Sequence, residues 1–361
     1  MLYQAIEDRN DGRITLLYGH KVTGLEHGSV GSTLVQIEGP GEDTLSLSPD
    51  LLLACDGLAS VMRREAQARE DVPGGHFEML EHPSPAAQLR YKVLNLPAQF
   101  AAVGGEVAVD DFRMAYIFGS RFKDPKQATA LFAFPVADAT HPRSVNLIRE
   151  ADHVLWSIDD ADQLLAFLDD AFPQLDIPSL VSRQEAEDFV QLTPGQFPEP
   201  QYARNIHAKL GATQLLLIGD SAHAFPPDLG LGVNAAFNDL EQLSVALEAQ
   251  HSLETAIEQY AEAHQPEMQA MVRLVQTVFP EQYATRKWAM RRWMAGFAAR
   301  GALHRLAPKL FDRHAFLMTQ DPALGFVEIE QRKLRTDFRV KTIGLLAVAG
   351  LGTAVAALAL R

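Results

Sequence analysis

The rhythm of apolar and polar positions changes several times along the chain. LYQAIEDR, residues 2–9, reads as the end of a helix with no capping residue ahead of it, as if the chain were cut in mid-helix. After it, ITLLYGHKVTGLE, STLVQIEG and TLSLSPDLLLACDG set Leu, Val, Ile and Thr between Gly, Asp and Pro, which predicts strands. From Gly74 to Glu199 four separated strand candidates follow, QLRYKVLNL, FRMAYIFGS, ATALFAFPV and RSVNLIRE, with one helix at ADQLLAFLDDAF, so a mostly antiparallel sheet is expected. QLLLIGD then returns as an unbroken apolar run of the kind central to parallel sheets, and a long helix is expected from Gly232 to Gln250. Between Ser252 and Phe326 the pattern is helical, with breaks expected at Pro266, Pro280, Pro308 and Pro322.

The expected fold class is therefore α/β. Residues 1–70 and 206–250 form two pieces of one parallel-sheet domain, 71–205 an antiparallel-sheet domain, 251–341 a helical region and 342–361 a terminal helix. That last segment changes the picture. Ile343 to Leu360 carries no charge and, as a helix rising about 1.5 Å per residue, would be roughly 27 Å long, the lower limit for a bilayer. The basic stretch before it, Arg332 to Lys341, favours the cytoplasmic side. A membrane tail on the cytoplasmic face is expected in preference to an apolar helix packed on the body.

Composition narrows the rest. The chain has 361 residues, 47 % hydrophobic, enough for a sizeable core. A net charge of −14 disfavours nucleic acid as a partner. One cysteine, Cys55, cannot form an internal disulfide, which fits a reducing, cytoplasmic setting, and the first residues lack the apolar run of a signal peptide. The Trp and Arg cluster from Lys287 to Arg300 is expected to turn its aromatics inward at helical spacing. Nothing in these patterns gives the oligomeric state.

Two segments carry chemistry. In LLLACDGLASVMR, Leu51 to Arg63, an apolar strand ends at Asp56–Gly57 and a helix starts, with Ser60 and Arg63 one turn apart. An acidic residue at a strand's carboxyl end can serve a nucleotide, and it can equally cap the helix that follows. In LLLIGDSAHAFPPDLGLGVNAAFNDL, Leu215 to Leu240, a buried strand ends at Gly219–Asp220, a loop holds His223, Pro226 and Pro227, and Gly230–Leu231–Gly232–Val233–Asn234 opens a long helix. Asp220 can accept bonds from the hydroxyls of a sugar-like chain. The glycines let backbone N–H groups approach a planar ring, and the helix start offers partial positive charge without a cationic side chain. The competing reading of this segment is a Gly/Pro-rich connection. His223 reads as structural rather than as an acid or base.

These two segments resemble the Asp-Gly and Gly-Asp motifs of the FAD-dependent aromatic hydroxylases, the para-hydroxybenzoate hydroxylase-like flavin monooxygenases, and within them the kynurenine 3-monooxygenase branch looks nearest. The resemblance implies an FAD/NAD(P)-binding Rossmann-like sheet interrupted by an antiparallel substrate domain and followed by C-terminal helices. It implies FAD as cofactor, NADPH or NADH as reductant, and O2 used to hydroxylate a small aromatic substrate through a flavin hydroperoxide, in the manner of EC 1.14.13. Carried over by residue, Asp56, Gly57 and Arg63 belong near the pyrophosphate, while Gly219 and Asp220 hold the ribityl or pyrophosphate region. Pro227 faces the reactive side of the flavin, and the backbone of Gly230, Gly232, Val233 and Asn234 meets its pyrimidine edge. Asn234 and Tyr283 are the substrate candidates, and no side chain is assigned as catalytic or as a metal ligand.

The departures from the family pattern are specific. Leu231 stands where the family commonly has Gln, Asp228 and Leu229 stand where kynurenine hydroxylases carry aromatics, and their Asn-Tyr-x-Glu-x-Arg segment survives at best as Glu281 to Arg286. No Gly-x-Gly-x-x-Gly between a strand and a helix occurs, which puts the activity of the chain as given in doubt. The rival expectation is a truncated, non-catalytic FAD-fold chain acting as a membrane-associated or interaction protein. A halogenase would show Trp-x-Trp-x-Ile, which is not found.

Overall fold

The computed structural model describes residues 2–9, 11–28, 31–41, 43–101, 103, 108–227, 230–278 and 287–359, with 346–359 as backbone alone. It is a mixed α/β structure with several sheets and C-terminal helices, divided into two compact units.

The first unit comprises residues 1–81, 201–224 and 230–272. An antiparallel sheet of Lys21–His27, Thr33–Glu38 and Thr44–Leu47 has its central strand burying Thr33, Val35 and Ile37 at every second position, the pattern of a sheet with one covered face. Ile14 to Tyr18, apolar enough to suggest that the first strand starts earlier, lies outside any ladder and is exposed. A second sheet carries the candidate site. Leu51–Ala54 pairs in parallel with Thr213–Leu217, Ala54 opposite Leu217, and Thr213–Leu217 pairs antiparallel with His207–Leu210. All five residues of Thr213–Leu217 are buried, as expected for a strand covered on both faces. The two parallel strands therefore end side by side, where Asp56–Gly57 and Gly219–Asp220 begin.

In the second unit, residues 82–200, 225–229 and 273–361, five strands form an antiparallel sheet in the order Gly195–Gln196, Leu89–Leu96, Arg143–Glu150, Ala130–Ala133, Tyr116–Gly119. Its Leu94, Leu96, Val145, Leu147, Leu131 and Phe118 pack with Leu164 and Leu168 of the Ala161–Ala171 helix. A second helix, Arg183–Gln191, was not expected from the sequence pattern. Ser182 caps it by accepting the Glu185 amide at 3.1 Å, and at its other end Lys92 donates to the Phe189 carbonyl at 2.8 Å. A cation at a helix C-terminus is favourable, which explains how Lys92 is tolerated at 5 % exposure.

Further helices run over Leu253–Val278, Lys287–Leu306 and Phe326–Ala359. Pro266 does not break its helix as expected, but lies inside Leu253–Val278. Pro280 is outside the described residues. Trp288 is 56 % exposed with the Arg292 guanidinium 5.0 Å over its ring, whereas Trp293 is half-buried against Phe297.

The expected membrane tail is corrected here. Among the described residues no helix is long and apolar enough to cross a membrane. The basic stretch and the apolar one are continuous in Phe326–Ala359. Two acids of that helix make folding contacts: Glu330 takes Arg273 through both oxygens at 2.7 and 2.8 Å, and Asp337 takes Arg300 at 2.6 Å and Lys333 at 3.0 Å.

Candidate functional site

Each of the two motifs is built at a strand tip of the first unit. After Ala54 the chain passes through exposed Cys55 and Asp56 into Gly57, whose φ of 79° is costly for any residue with a Cβ. One Asp56 carboxylate oxygen accepts the Met62 amide at 3.1 Å, and Ser60 Oγ accepts the Arg63 amide at 2.9 Å, so both cap the Val61–Gln67 helix. Arg63, 8 % exposed, donates to the Ser221 carbonyl at 2.5 Å and to the Leu58 carbonyl at 2.6 Å. Burial lowers its pKa, with the Asp56 charge opposing, yet guanidinium stays protonated. Arg63 is thus the tie between the two motifs.

At the second tip, Gly219 has φ 62° and Asp220 projects exposed from the turn. Ser221, fully buried, accepts the Ile218 amide at 3.1 Å and donates to the Ala54 carbonyl at 2.5 Å, which pins the two strand ends together. The Gly232–Ala249 helix opens on Leu231, which gives no side-chain cap, so its first amides keep their N–H groups for another acceptor. Val233 and Asn234 are exposed there, and among the described residues, chain neighbours aside, no heavy atom lies within 4 Å of where a Cβ would stand at Gly57, Gly230 or Gly232. The exposed Pro227 falls in the second unit. Tyr283, Asp228 and Leu229 lie outside the described residues.

Behind the second tip is a buried polar network. Asp239 on the Gly232–Ala249 helix accepts from His223 Nε2 at 2.8 Å, from His264 Nε2 at 2.7 Å and from the Gly219 amide at 2.9 Å. Exposure is 2 % for Asp239, 1 % for His223 and 8 % for His264. Burial by itself would raise the Asp239 carboxyl, but the two histidine hydrogen bonds outweigh it and hold the group at about 2. Its folded-state pKa lies below the ordinary carboxylate value, so the stabilisation is fully present above about pH 4 and is lost as pH falls through about 2. That difference corresponds to about 2 kcal/mol. Acid unfolding followed by circular dichroism should therefore show a stability loss between about pH 4 and pH 2 that Asp239→Asn lacks.

The sequence pattern did not single out Asp239, His264 or Ser221. Asp239 did leave a signal, because it stands between Ala235 and Leu243 on the buried stripe of its helix. A carboxylate at the centre of such a stripe needs donors.

Comparison with known proteins shows what the chain is similar to. An FAD binding domain model matches residues 133–275. Kynurenine 3-monooxygenase from Drosophila melanogaster is 24 % identical over 282 residues, covering 77 % of this chain and 54 % of its own length. The enzyme of the same name from Anopheles gambiae is 30 % identical over 236 residues, 64 % of this chain and 42 % of its own. They support an FAD-dependent aromatic hydroxylase-like family. The hydroxylase-like chain spans about half the length of these curated relatives. Among solved structures it is similar to pqsL, a probable FAD-dependent monooxygenase from Pseudomonas aeruginosa, at 18 % identity, covering 80 % of this chain and 71 % of that one with a TM-score of 0.47. The domain match supports FAD as the cofactor of the hydroxylase-like chain.

Proposed function

We propose that the protein is an FAD-dependent, NAD(P)H-using monooxygenase that hydroxylates a small aromatic substrate with O2, like the kynurenine 3-monooxygenases it matches. The observation that carries this reading is the placement of both motifs at the ends of two adjacent parallel strands, the position at which open α/β sheets bind nucleotides. The residues fit a flavin. Open space over Gly57, Gly230 and Gly232 admits a flat ring close to the backbone, and the uncapped helix start favours negative charge at its pyrimidine edge.

In this reading Asp220 accepts from the ribityl hydroxyls, Asp56 and Arg63 order the turn near the pyrophosphate, and the Gly232, Val233 and Asn234 amides meet the ring. By the resemblance, Pro227 is the candidate for the reactive side and Asn234 a substrate candidate, as is Tyr283 outside the described residues. When bound, FAD supplies the electron transfer from NADPH or NADH and the activation of O2. The protein's own residues bind and orient it and keep water out.

Equilibrium dialysis against FAD, followed by oxygen uptake with NADPH or NADH and a panel of phenols and aromatic amines, tests the proposal. Oxygen uptake should yield a hydroxylated product. Asp220→Ala should weaken FAD binding about tenfold or more, since a carboxylate bonding to hydroxyls contributes about 1.5–3 kcal/mol. Unchanged FAD affinity in Asp220→Ala would remove the site from consideration.

A further inference from the structure

Asp239 cannot reach a flavin, being 2 % exposed, yet it accepts the Gly219 amide at the tip from which Asp220 projects. Three donors converge on its two oxygens: the Gly219 amide and His223 Nε2 on one, His264 Nε2 on the other. The Gly219 amide precedes Asp220 by a single residue, and Gly219 sits in the left-handed region at φ 62°. A turn in that conformation persists only where surrounding contacts hold it. The turn is also braced from inside, by the Ala222 amide on the Gly219 carbonyl at 2.8 Å and by Ser221 Oγ, which accepts the Ile218 amide at 3.1 Å; Asp239 is the brace that reaches it from the helix.

We propose that Asp239 is a positioning residue for the flavin site, held in register by His223 and His264, and that it acts by fixing the Gly219 turn that aims the Asp220 carboxylate. This rests on the reading of the Asp220 site as a flavin site. The two histidines come from separate elements, His223 from the short strand after the tip and His264 from the Leu253–Val278 helix, so the carboxylate joins strand tip and both helices at one point.

An isosteric change at 239 distinguishes positioning from plain packing. Asn at 239 would offer one accepting oxygen and one donating NH2 to three donors. A neutral imidazole can accept from that NH2 by moving its proton to Nδ1, whereas a protonated one donates from both nitrogens and cannot. The other titratable groups near the carboxylate are Tyr260, stacked on His264 at 5.0 Å, and Cys55, next to Asp56. Burial, then the Asp239 charge, raises the Tyr260 hydroxyl; burial, then Asp56 and Asp239, raises the Cys55 thiol. Both therefore stay protonated through the neutral range.

The test compares the full wild-type chain with Asp239→Ala, Asp239→Asn and Asp220→Ala. FAD affinity is read by equilibrium dialysis up to millimolar FAD, and Gly219 amide protection by hydrogen exchange without flavin. Asp239→Ala should lose Gly219 protection and bind FAD about tenfold more weakly at every pH. Asp239→Asn, which keeps one accepting oxygen for three donors, should fall between wild type and Asp239→Ala in both affinity and Gly219 protection. Asp220→Ala should lose FAD with Gly219 protection unchanged. Wild-type affinity and protection in Asp239→Ala, with FAD binding lost in Asp220→Ala, would overturn the inference and leave the site reading intact. Wild-type affinity in Asp220→Ala, or no FAD uptake by the wild-type chain, would overturn both. Should Asp239→Ala not fold, Asp239→Asn decides by itself, and wild-type FAD affinity with wild-type Gly219 protection in that variant overturns the inference.

Discussion

Arg143→Met is expected to lower stability by about 3–5 kcal/mol, read as a shift in the urea unfolding midpoint with an unchanged slope. Arg143 opens the Arg143–Glu150 strand and is fully buried. Its guanidinium meets only main-chain acceptors. One terminal nitrogen donates to the Met114 and Phe134 carbonyls, both at 2.7 Å. The other donates to Ala98 at 3.0 Å and Asp111 at 3.3 Å, with Nε to Ala98 at 3.3 Å. The Tyr116 ring lies 5.2 Å from the same group. A buried cation is costly, and here four carbonyls offset the cost because the planar fork satisfies all of them at once. Met fills the volume but leaves four carbonyls without a donor, at about 1–3 kcal/mol for each that water cannot reach. Arg143→Lys keeps the charge and loses the fork, so it should recover only part of the loss. Full stability in the Lys variant would mean that charge, not geometry, is what the four carbonyls require.

Arg143 also shows where sequence reading stops. The strand RSVNLIRE was legible from its alternating apolar positions, but nothing local marks its first residue as one that four carbonyls from three other segments surround. The same limit applies at the candidate site. Both strand tips were legible, because LLLIGD is apolar on both faces and Gly-Asp must end it. His223 was read as structural, but its meeting with Asp239 and His264 was not legible, since it depends on a helix, a short strand and a second helix closing on one point. The Arg183–Gln191 helix was hidden by its composition: it buries little more than Ala186 and Phe189, though Ser182 followed three residues later by Glu185 was a capping signal in plain view. Ile14 to Tyr18 erred the other way, apolar in composition and exposed in the fold. Pro266 was expected to end a helix because it removes one amide donor and crowds the preceding turn. The helix runs through it, and its neighbours Ile257, Tyr260, Met268 and Met271, all buried, supply packing on both sides of the proline.

Gly219→Val is expected to lower stability by about 2–4 kcal/mol and to weaken FAD binding by more than about a hundredfold. Two costs combine. A β-branched residue at φ 62° bears a backbone penalty of about 1–3 kcal/mol. Its Cβ would also stand 3.3 Å from the Ala236 Cβ, with two further methyl groups to place in the same space. Gly57 supplies the control. It has φ 79° but no heavy atom within 4 Å of a Cβ, so Gly57→Ala should carry the backbone cost alone, about 1 kcal/mol. Gly219→Ala should fall between the two. The binding loss should exceed the stability loss, because any relief of the clash moves the turn and with it the Gly219 amide held by Asp239 and the Asp220 carboxylate beyond. Calorimetry and FAD dialysis on the three variants separate the effects: equal losses in Gly57→Ala and Gly219→Ala would mean that the backbone conformation matters at this tip and the packing against Ala236 does not.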